Sequence, residues 1–532
     1  MSPPMWLGLD LSTQSLKVAV LPDAPGAQPA YFDSVVFARD LPQYNTDHGM
    51  HVGGTGSAKA SLGDPAVVTS PVTMWLEALD MALTRLRGSA TGASLVPRVR
   101  AVSVSGQQHG TVYWRRGAAD ALRRLSASPP RAATLAEALS GIFARRDCPI
   151  WADSSTVAEC ECLEMAFGGA LPLAEATGSA AYPRFSGPQI AKFAAADPAA
   201  YAATERVSLV SSFVASVLAG ALVPIDQSDG SGMNLMDIRS RDWNDVAVAA
   251  VDPTADAAVL RAKLGPLTES HKVIGTVSAY CCAKYGLPAD CAVVAASGDN
   301  PCSNAGLGLT AEDGENVAVS LGTSDTVVGM TIAPRPQAEG HVMVSALDPA
   351  AYFAMLVYKN GALCRRGTGQ GNRAGRRPAW EWARDQLAGG TWEGFGRLLD
   401  ATPAGNGGRV GLFLHLPEIT PQIERTGKFF MGPGGEALAA LTPAEEARAV
   451  VEGRFLSMRA RLQGMGISSP KRVLATGGGS SNPHICQILA DVFGVPVYVG
   501  AVADAAVVGA ALRAKHGYLC HARGKLVPFS EV

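Results

Sequence analysis

Moving a phosphoryl group between small molecules asks a protein for phosphate-cradling donors, a seat for a divalent cation and a base beside the accepting hydroxyl. This chain has residues of each kind. Asp10 lies with Ser12 and Thr13 in the short polar interval of WLGLDLSTQSLKVAV at 6–20. A carboxylate there can hold magnesium, usually through water, because that ion prefers oxygen ligands and keeps part of its hydration shell. The segment SLGTS at 320–324 can offer amides and hydroxyls to phosphate oxygens, as backbone nests do. Ordinary hairpin-turn chemistry is the alternative for both. Gly477, Gly478 and Gly479 stand between a strand pattern and a helix start. Without Cβ atoms that backbone can approach a nucleotide, and a helix N-terminus favours negative charge. The same glycines equally suit a strand–helix turn made for close packing.

Asp299 follows the apolar run CAVVAASG, at the C-terminal end of a predicted strand, where α/β sheets bind ligands. A carboxylate there can take the proton from an attacking hydroxyl. Helix capping is its other role, since Asn300 and Pro301 look like an N-cap and first turn. The two roles are compatible, because a helix start keeps a nearby carboxylate ionised. His109 ends SVSGQQHG, again just past a strand-like run, and Gln107, Gln108 and His109 form a polar cluster suited to hydroxyl recognition. A satisfied structural histidine is the alternative. By its own pattern, Arg184 in AAYPRFSGPQ reads as a surface arginine.

Regular elements must place these residues. Residues 317–330, VAVSLGTSDTVVGM, repeat the layout of 6–20: an apolar run, a small polar turn, then alternating apolar residues. Each predicts a strand–turn–strand hairpin with hydroxyls at its tip. Two such hairpins suggest two similar lobes facing one cleft; chance repetition is the rival. Strands alternate with helical patterns elsewhere, the mark of α/β layers. In the unit at 473–499, RVLAT reads as a strand and GGGSS as a turn. Asn482 reads as an N-cap with Pro483 at the first helical position. Ile485, Ile488, Leu489 and Val492 mark one helical face, Gly494 stops the helix and VPVYVG resumes a strand. Residues 503–517 form a small-residue helix able to pack closely on a sheet. Residues 53–66 and 365–379, rich in Gly, Pro and Arg, read as surface loops or insertions. A lobe boundary is expected near 298, giving lobes of 1–297 and 298–532.

Size and composition bound the class. At 532 residues the chain exceeds one hydrophobic core. With 47% apolar and 17% charged residues it has the make-up of a well-filled globular interior. Its 45 basic and 47 acidic residues nearly cancel, without a long run of either sign, so a small-molecule partner is expected rather than nucleic acid. Ten cysteines show no zinc spacing and read as reduced thiols of a cytosolic protein. The opening MSPPMWLGLD has no basic n-region, so no signal peptide is expected. Residues 207–225 carry no charge, yet Ser208, Ser211, Ser212 and Ser216 make a weakly polar helical stripe, which suits a core helix better than a membrane span.

The order of these motifs is itself specific. An Asp-bearing hairpin, GQQHG, GDN, SLGTS, ATGGGSSN and ADAAVVGAAL follow one another in the manner of the FGGY carbohydrate kinases, which this chain resembles. The segments DLPQYNTDHGMHV, CPIWADSST, FSGPQIAK and PIDQSDGSGMNL resemble the eukaryotic branch of that family that acts on D-xylulose. The resemblance implies a two-lobed actin-like (ribonuclease H-like) α/β fold, with mixed central sheets flanked by helices. Sugar would bind mainly the N-terminal lobe and ATP the C-terminal one. It further implies ATP-dependent phosphorylation of D-xylulose at the C5 hydroxyl, with Asp299 as general base. His109, Arg184, Asp299, Asn300 and Gln108 would surround the sugar. Asp10 would sit at magnesium, with Thr13, Gly322 and Thr323 at the phosphates and Gly478 and Asn482 at the adenosine. Trp392 would flank adenine, with Trp380 and Trp382 as nearby rivals. Sugar and ATP are the expected partners, with the chain a monomer or homodimer, away from membranes. The alternatives are a kinase for D-ribulose, L-xylulose or another polyol, and a sugar-sensing ATPase without productive transfer. The match departs from the family where Lys192 is followed directly by Phe193, and the second family signature is poorly recognisable around 451–464.

Overall fold

In the computed structural model, residues 3–54, 63–127, 134–252, 254, 256–322, 324–360, 379–500 and 504–532 are described. Most of the loop stretch at 53–66 and nearly all of 365–379 lie outside them. Two compact units form, interleaved along the chain: the first holds Met1–Gly308, Met343–Ala350 and Val502–Val532, the second Leu309–Val342 and Ala351–Ala501.

In the first unit, β1 (Met5–Leu11) and β2 (Ser15–Pro22) pair antiparallel, from Met5 opposite Pro22 to Leu11 opposite Leu16. This is the first predicted hairpin, with Ser12, Thr13 and Gln14 as its tip. β3 (Tyr31–Val36) continues the antiparallel side, while β4 (Val99–Gly106) lies parallel to β1. β5 (Val273–Thr276), β6 (Ala292–Val294) and β7 (Ser297–Gly298) complete a mixed seven-stranded sheet of order β5-β6-β4-β1-β2-β3, with β7 also paired to β4. Every residue of β1 is buried, as both faces of a central strand must be.

The second unit repeats the plan. β8 (Val317–Leu321) and β9 (Asp325–Thr331) form the second hairpin, β10 (Tyr352–Tyr358) extends it antiparallel, and β11 (Val473–Thr476) and β12 (Val497–Val499) join in parallel. The order β10-β9-β8-β11-β12 matches β3-β2-β1-β4-β6 strand for strand.

Helices cover these sheets. α1 (Val210–Ala219) is buried from Val210 to Leu218, and the serines in and before it are satisfied one by one. Trp114 Nε1 donates to Ser208 Oγ at 2.9 Å, Ser211 Oγ to Asp229 Oδ2 at 2.6 Å, and Ser216 Oγ to the Ser212 carbonyl at 2.7 Å. The uncharged run is therefore core, as its stripe predicts. Among the described residues no helix is long and apolar enough to cross a membrane, and every cysteine is a free thiol.

α2 (Asp299–Gly306) and α5 (Ala505–Arg523) carry or support candidate residues of the first unit, and α3 (Trp392–Asp400) and α4 (Pro483–Phe493) those of the second. The small-residue pattern of α5 has a geometric cause. A Cβ on Gly8 of β1 would stand 2.2 Å from the Val507 carbonyl oxygen, and one on Gly509 would stand 1.7 Å from that of Cys302 in α2. Backbone meets backbone at both contacts, so only glycine fits. Residues 298–308, 343–350 and the C-terminal helix thus belong to the first unit, unlike the single cut at 297/298 expected from sequence.

Candidate active site

Register assembles the candidate residues of the first unit. β1, β4 and β7 run parallel and stop level: Leu11 pairs with Gly106, and Gly106 with Gly298. The residues that follow each strand therefore emerge side by side: Ser12 and Thr13, Gln107 to His109, and Asp299 with Asn300. Gln107 N donates to the Leu11 carbonyl at 2.9 Å, carrying the ladder one step further. C-terminal strand ends are where open α/β sheets hold ligands.

Asp10 is buried at the end of β1. Its Oδ1 accepts from Ser105 Oγ at 2.8 Å, its Oδ2 from Ser12 Oγ at 2.5 Å, and Lys17 Nζ stands 3.7 Å away. Burial raises its pKa, opposed by those hydroxyls and by Lys17. Lys17 also bridges to Asp504, at the start of α5, at 2.9 Å. Thr13 Oγ1 accepts from the Trp151 indole at 2.8 Å and faces Gln107 Oε1 at 3.4 Å.

Asp299 is the first residue of α2, and the cap preceding it is Gly298, whose extended backbone has φ −67° and ψ 164°. This corrects the expectation that Asn300 caps the helix. β7 ends at Gly298, so the chain turns into the helix two residues earlier than an Asn300 cap would have it. The Asp299 carboxyl is pushed up to about 7, first by burial and next by the Asp10 charge, against the backbone N–H groups of Asn300 and Gln108. Its Oδ1 accepts from Asn300 N at 2.9 Å and from Asn300 Nδ2 at 3.3 Å. Asn300 Nδ2 also donates to Gln108 Oε1 at 2.7 Å, tying the second and third strand ends together.

His109 is no ordinary core histidine. Its φ of +71° is left-handed, a strained conformation for a residue with a Cβ. The ring stacks on Phe185 with centroids 4.3 Å apart, and Nδ1 lies 2.8 Å from the Gly232 carbonyl. Burial, with the Arg184 charge behind it, lowers its pKa to about 3. The ring is thus neutral, Nδ1 carries the proton, and Nε2 is left as an acceptor. Arg184 is half-buried rather than a surface residue, with its guanidinium 5.0 Å from the Tyr182 ring centre and 5.8 Å from that of Phe185.

Asp229 was not singled out from sequence, although DQSDGSGMNL contains it. It is 2% exposed, and its pKa is pushed up to about 8, mainly by burial. Its Oδ2 accepts from Ser211, while Oδ1 has no hydrogen-bond partner. A short helix, Gln227–Gly230, holds it, with Asp226 Oδ1 capping the Asp229 amide at 2.6 Å. Asp226 in turn faces the buried Arg513 of α5 at 3.4 Å. An aspartate capping a buried turn leaves no periodic signal, so only its partners reveal it.

The second unit contributes a separate cavity of about 370 Å³, lined by Trp392, Glu393, Gly478, Ser481, Asn482 and His484 among others. Asn482 Oδ1 accepts from His484 N at 3.0 Å and Ile485 N at 3.3 Å, so it caps α4 behind Pro483 as predicted. Gly477, at φ +81°, could carry no side chain: a Cβ would lie 2.5 Å from the Leu321 carbonyl oxygen of β8. Gly322 stands in the tip of the β8–β9 hairpin; Thr323 lies outside the described residues. The two rival tryptophans are engaged elsewhere. Trp380 is buried against Phe455, and Trp382 packs on Phe413 and His415.

Comparison with known proteins agrees with this architecture. Residues 146–306 match the N-terminal domain, and residues 317–518 the C-terminal domain, of the FGGY family of carbohydrate kinases. The chain is 44% identical to xylulose kinase of Mus musculus over 99% of its length and 88% of that protein. It is 40% identical to xylulose kinase 2 of Arabidopsis thaliana over 99% of its length and 90% of that protein. In fold it is similar to the crystal structure of xylulose kinase from Bifidobacterium adolescentis, with a TM-score of 0.71 and 21% identity over 98% of this chain and 93% of the other. The two repeated sheets, the three level strand ends and these matches lead to one assignment: the chain is a carbohydrate kinase of the FGGY family, with the family's actin-like two-domain fold.

Proposed function

We propose that the chain phosphorylates D-xylulose at its C5 hydroxyl, taking the phosphoryl group from ATP and giving D-xylulose 5-phosphate and ADP. The observation that carries this reading is its identity to xylulose kinases over 99% of the chain. The cluster of Gln108, His109, Arg184, Asp299 and Asn300 supplies the chemistry. The hydroxyl oxygen attacks the γ-phosphorus as the bond from that phosphorus to the ADP oxygen breaks, and the proton leaves to Asp299. With Oδ1 held by Asn300, Oδ2 is the oxygen that receives it. A carboxyl titrating near 7 suits a base at neutral pH, because about half of it is ionised before the step, yet it holds a proton well afterwards. His109 Nε2 accepts from a sugar hydroxyl, Arg184 donates to sugar oxygens, and Gln108 is held for the same task by Asn300.

A kinase of this kind uses ATP with Mg²⁺ as the usual ion. A lone buried carboxylate among hydroxyls fits an ion that keeps most of its waters. Asp10 would hold it, and when bound it would screen the phosphate charge. Thr13, Gly322 and Thr323 would serve the phosphates. Trp392, Gly478 and Asn482 would serve the adenosine, for which the 370 Å³ cavity has room. ADP release across D-xylulose, D-ribulose, L-xylulose and simple polyols, with products identified by mass, is the test. D-xylulose should give the highest kcat/KM and a 5-phosphate. Preference for another sugar would replace the substrate, and nucleotide turnover without a sugar phosphate would end the kinase reading.

A further inference from the structure

One buried donor in the first unit is unexplained by the roles above. Gln107 is 2% exposed, and its Nε2 has no hydrogen-bond partner. A buried N–H without an acceptor is costly and uncommon in a folded protein, so its setting is informative. Gln107 follows Gly106 on β4, the strand flanked by β1 with Asp10 on one side and β7 leading to Asp299 on the other. Strand alternation puts it on the face of Ser105, the residue whose hydroxyl reaches Asp10.

Its orientation is set from the hairpin tip. Trp151 is 47% exposed and donates its indole N–H to Thr13 Oγ1 at 2.8 Å, which directs the Thr13 hydroxyl proton toward Gln107 Oε1 at 3.4 Å. With the amide oxygen turned to Thr13, the NH₂ group is turned away from it, without an acceptor of the protein's own.

We propose that Gln107 Nε2 donates a hydrogen bond to the phosphoryl group while it is transferred, with Trp151 and Thr13 as positioning residues that hold the amide in that sense. This rests on the reading of Asp299 as the base beside the accepting hydroxyl. Charge on a transferring phosphoryl group is spread over its equatorial oxygens, and a fixed neutral donor beside them stabilises the transition state more than either ground state.

The test uses the full chain with Gln107→Met, which keeps the length and removes the donor, and Gln107→Glu, which keeps the shape and reverses the polarity. Removing one such donor lowers kcat on the order of a hundredfold. The KM values for sugar and ATP and the sugar Kd from calorimetry should stay within twofold. Affinity for ADP with aluminium fluoride in the presence of sugar should fall in parallel with kcat, while affinity for ADP alone should not. Trp151→Phe should show the same pattern more weakly. Should Gln107→Met fail to fold, Gln107→Glu decides. A kcat within threefold of wild type in the folded variants overturns the proposal, as does a raised sugar KM at unchanged kcat, which would make Gln107 a ground-state sugar contact. The comparison is made on whichever sugar the wild type turns over best, so an error in the substrate is seen separately in the wild-type panel. An error in the base is seen in Asp299→Ala.

Discussion

Gly298→Ala separates side-chain geometry from backbone strain. The φ of −67° and ψ of 164° at 298 suit alanine, so the backbone alone predicts a gain of about 0.4–1 kcal/mol from a less flexible unfolded chain. The side chains predict the reverse. The added Cβ would lie 2.4 Å from Gln108 Cγ and 2.8 Å from both Gln108 Cδ and Asp229 Oδ1. Something must move, and Gln108 is the more flexible of the two, since Ser211 and the Asp226 cap hold Asp229. Overpacking costs about 1–3 kcal/mol, and losing the 2.7 Å bond from Asn300 to Gln108 adds about 0.5–1.5 kcal/mol. Net destabilisation of about 0.5–4 kcal/mol remains. On its proposed role as a sugar contact, a misplaced Gln108 forfeits one hydrogen bond, about 1 kcal/mol, which raises sugar KM roughly fivefold. Thermal melts and steady-state kinetics with varied sugar measure both. A variant that melts at or above wild type with sugar KM within twofold would refute the packing described around Gly298.

Other consequences are open to measurement. With Asp299 in its proposed role as base and titrating near 7, kcat/KM should fall as pH drops through about 7, and Mg²⁺ at its proposed seat on Asp10 should move that limb lower; a flat profile between pH 6 and 8 contradicts this. Asp229 keeps its proton in the native state up to about 8, whereas an unfolded aspartate releases it near 4, so its contribution to stability is lost as pH rises through that window. The melting temperature of Asp229→Asn relative to wild type should therefore climb between pH 5 and pH 8, and a constant difference would contradict the raised pKa. Trp392→Ala should raise KM for ATP about three- to tenfold, the worth of one aromatic face, and leave KM for sugar unchanged in the same assay.

Much of this was legible because it is local. The hairpins at 6–20 and 317–330, the cap at Asn482 with Pro483, the buried face of α4 and the core character of 207–225 each follow from periodicity and turn chemistry within about twenty residues. The placement of Asp299, Gln108 and His109 at strand ends is legible because such ends show as apolar runs that stop at polar residues. What sequence hid is long-range. Nothing near Gly8 or Gly509 announces that α5 returns to the first sheet; the contact spans the whole chain and depends on two missing Cβ atoms. The start of α2 differs by two residues from the sequence expectation because Asn-Pro is a strong local cap signal, while the tie of β7 to β4 decides where the helix begins. Asp229 and Trp151 escaped notice because their roles exist only through Ser211, Asp226 and Thr13.

The proposed general base is tested most directly by Asp299→Ala, assayed for sugar phosphate by mass and for nucleotide binding by calorimetry. Transfer should be abolished, while ADP and ATP bind as tightly as to wild type. A variant that still makes sugar phosphate at an appreciable fraction of the wild-type rate would show that another group takes the proton.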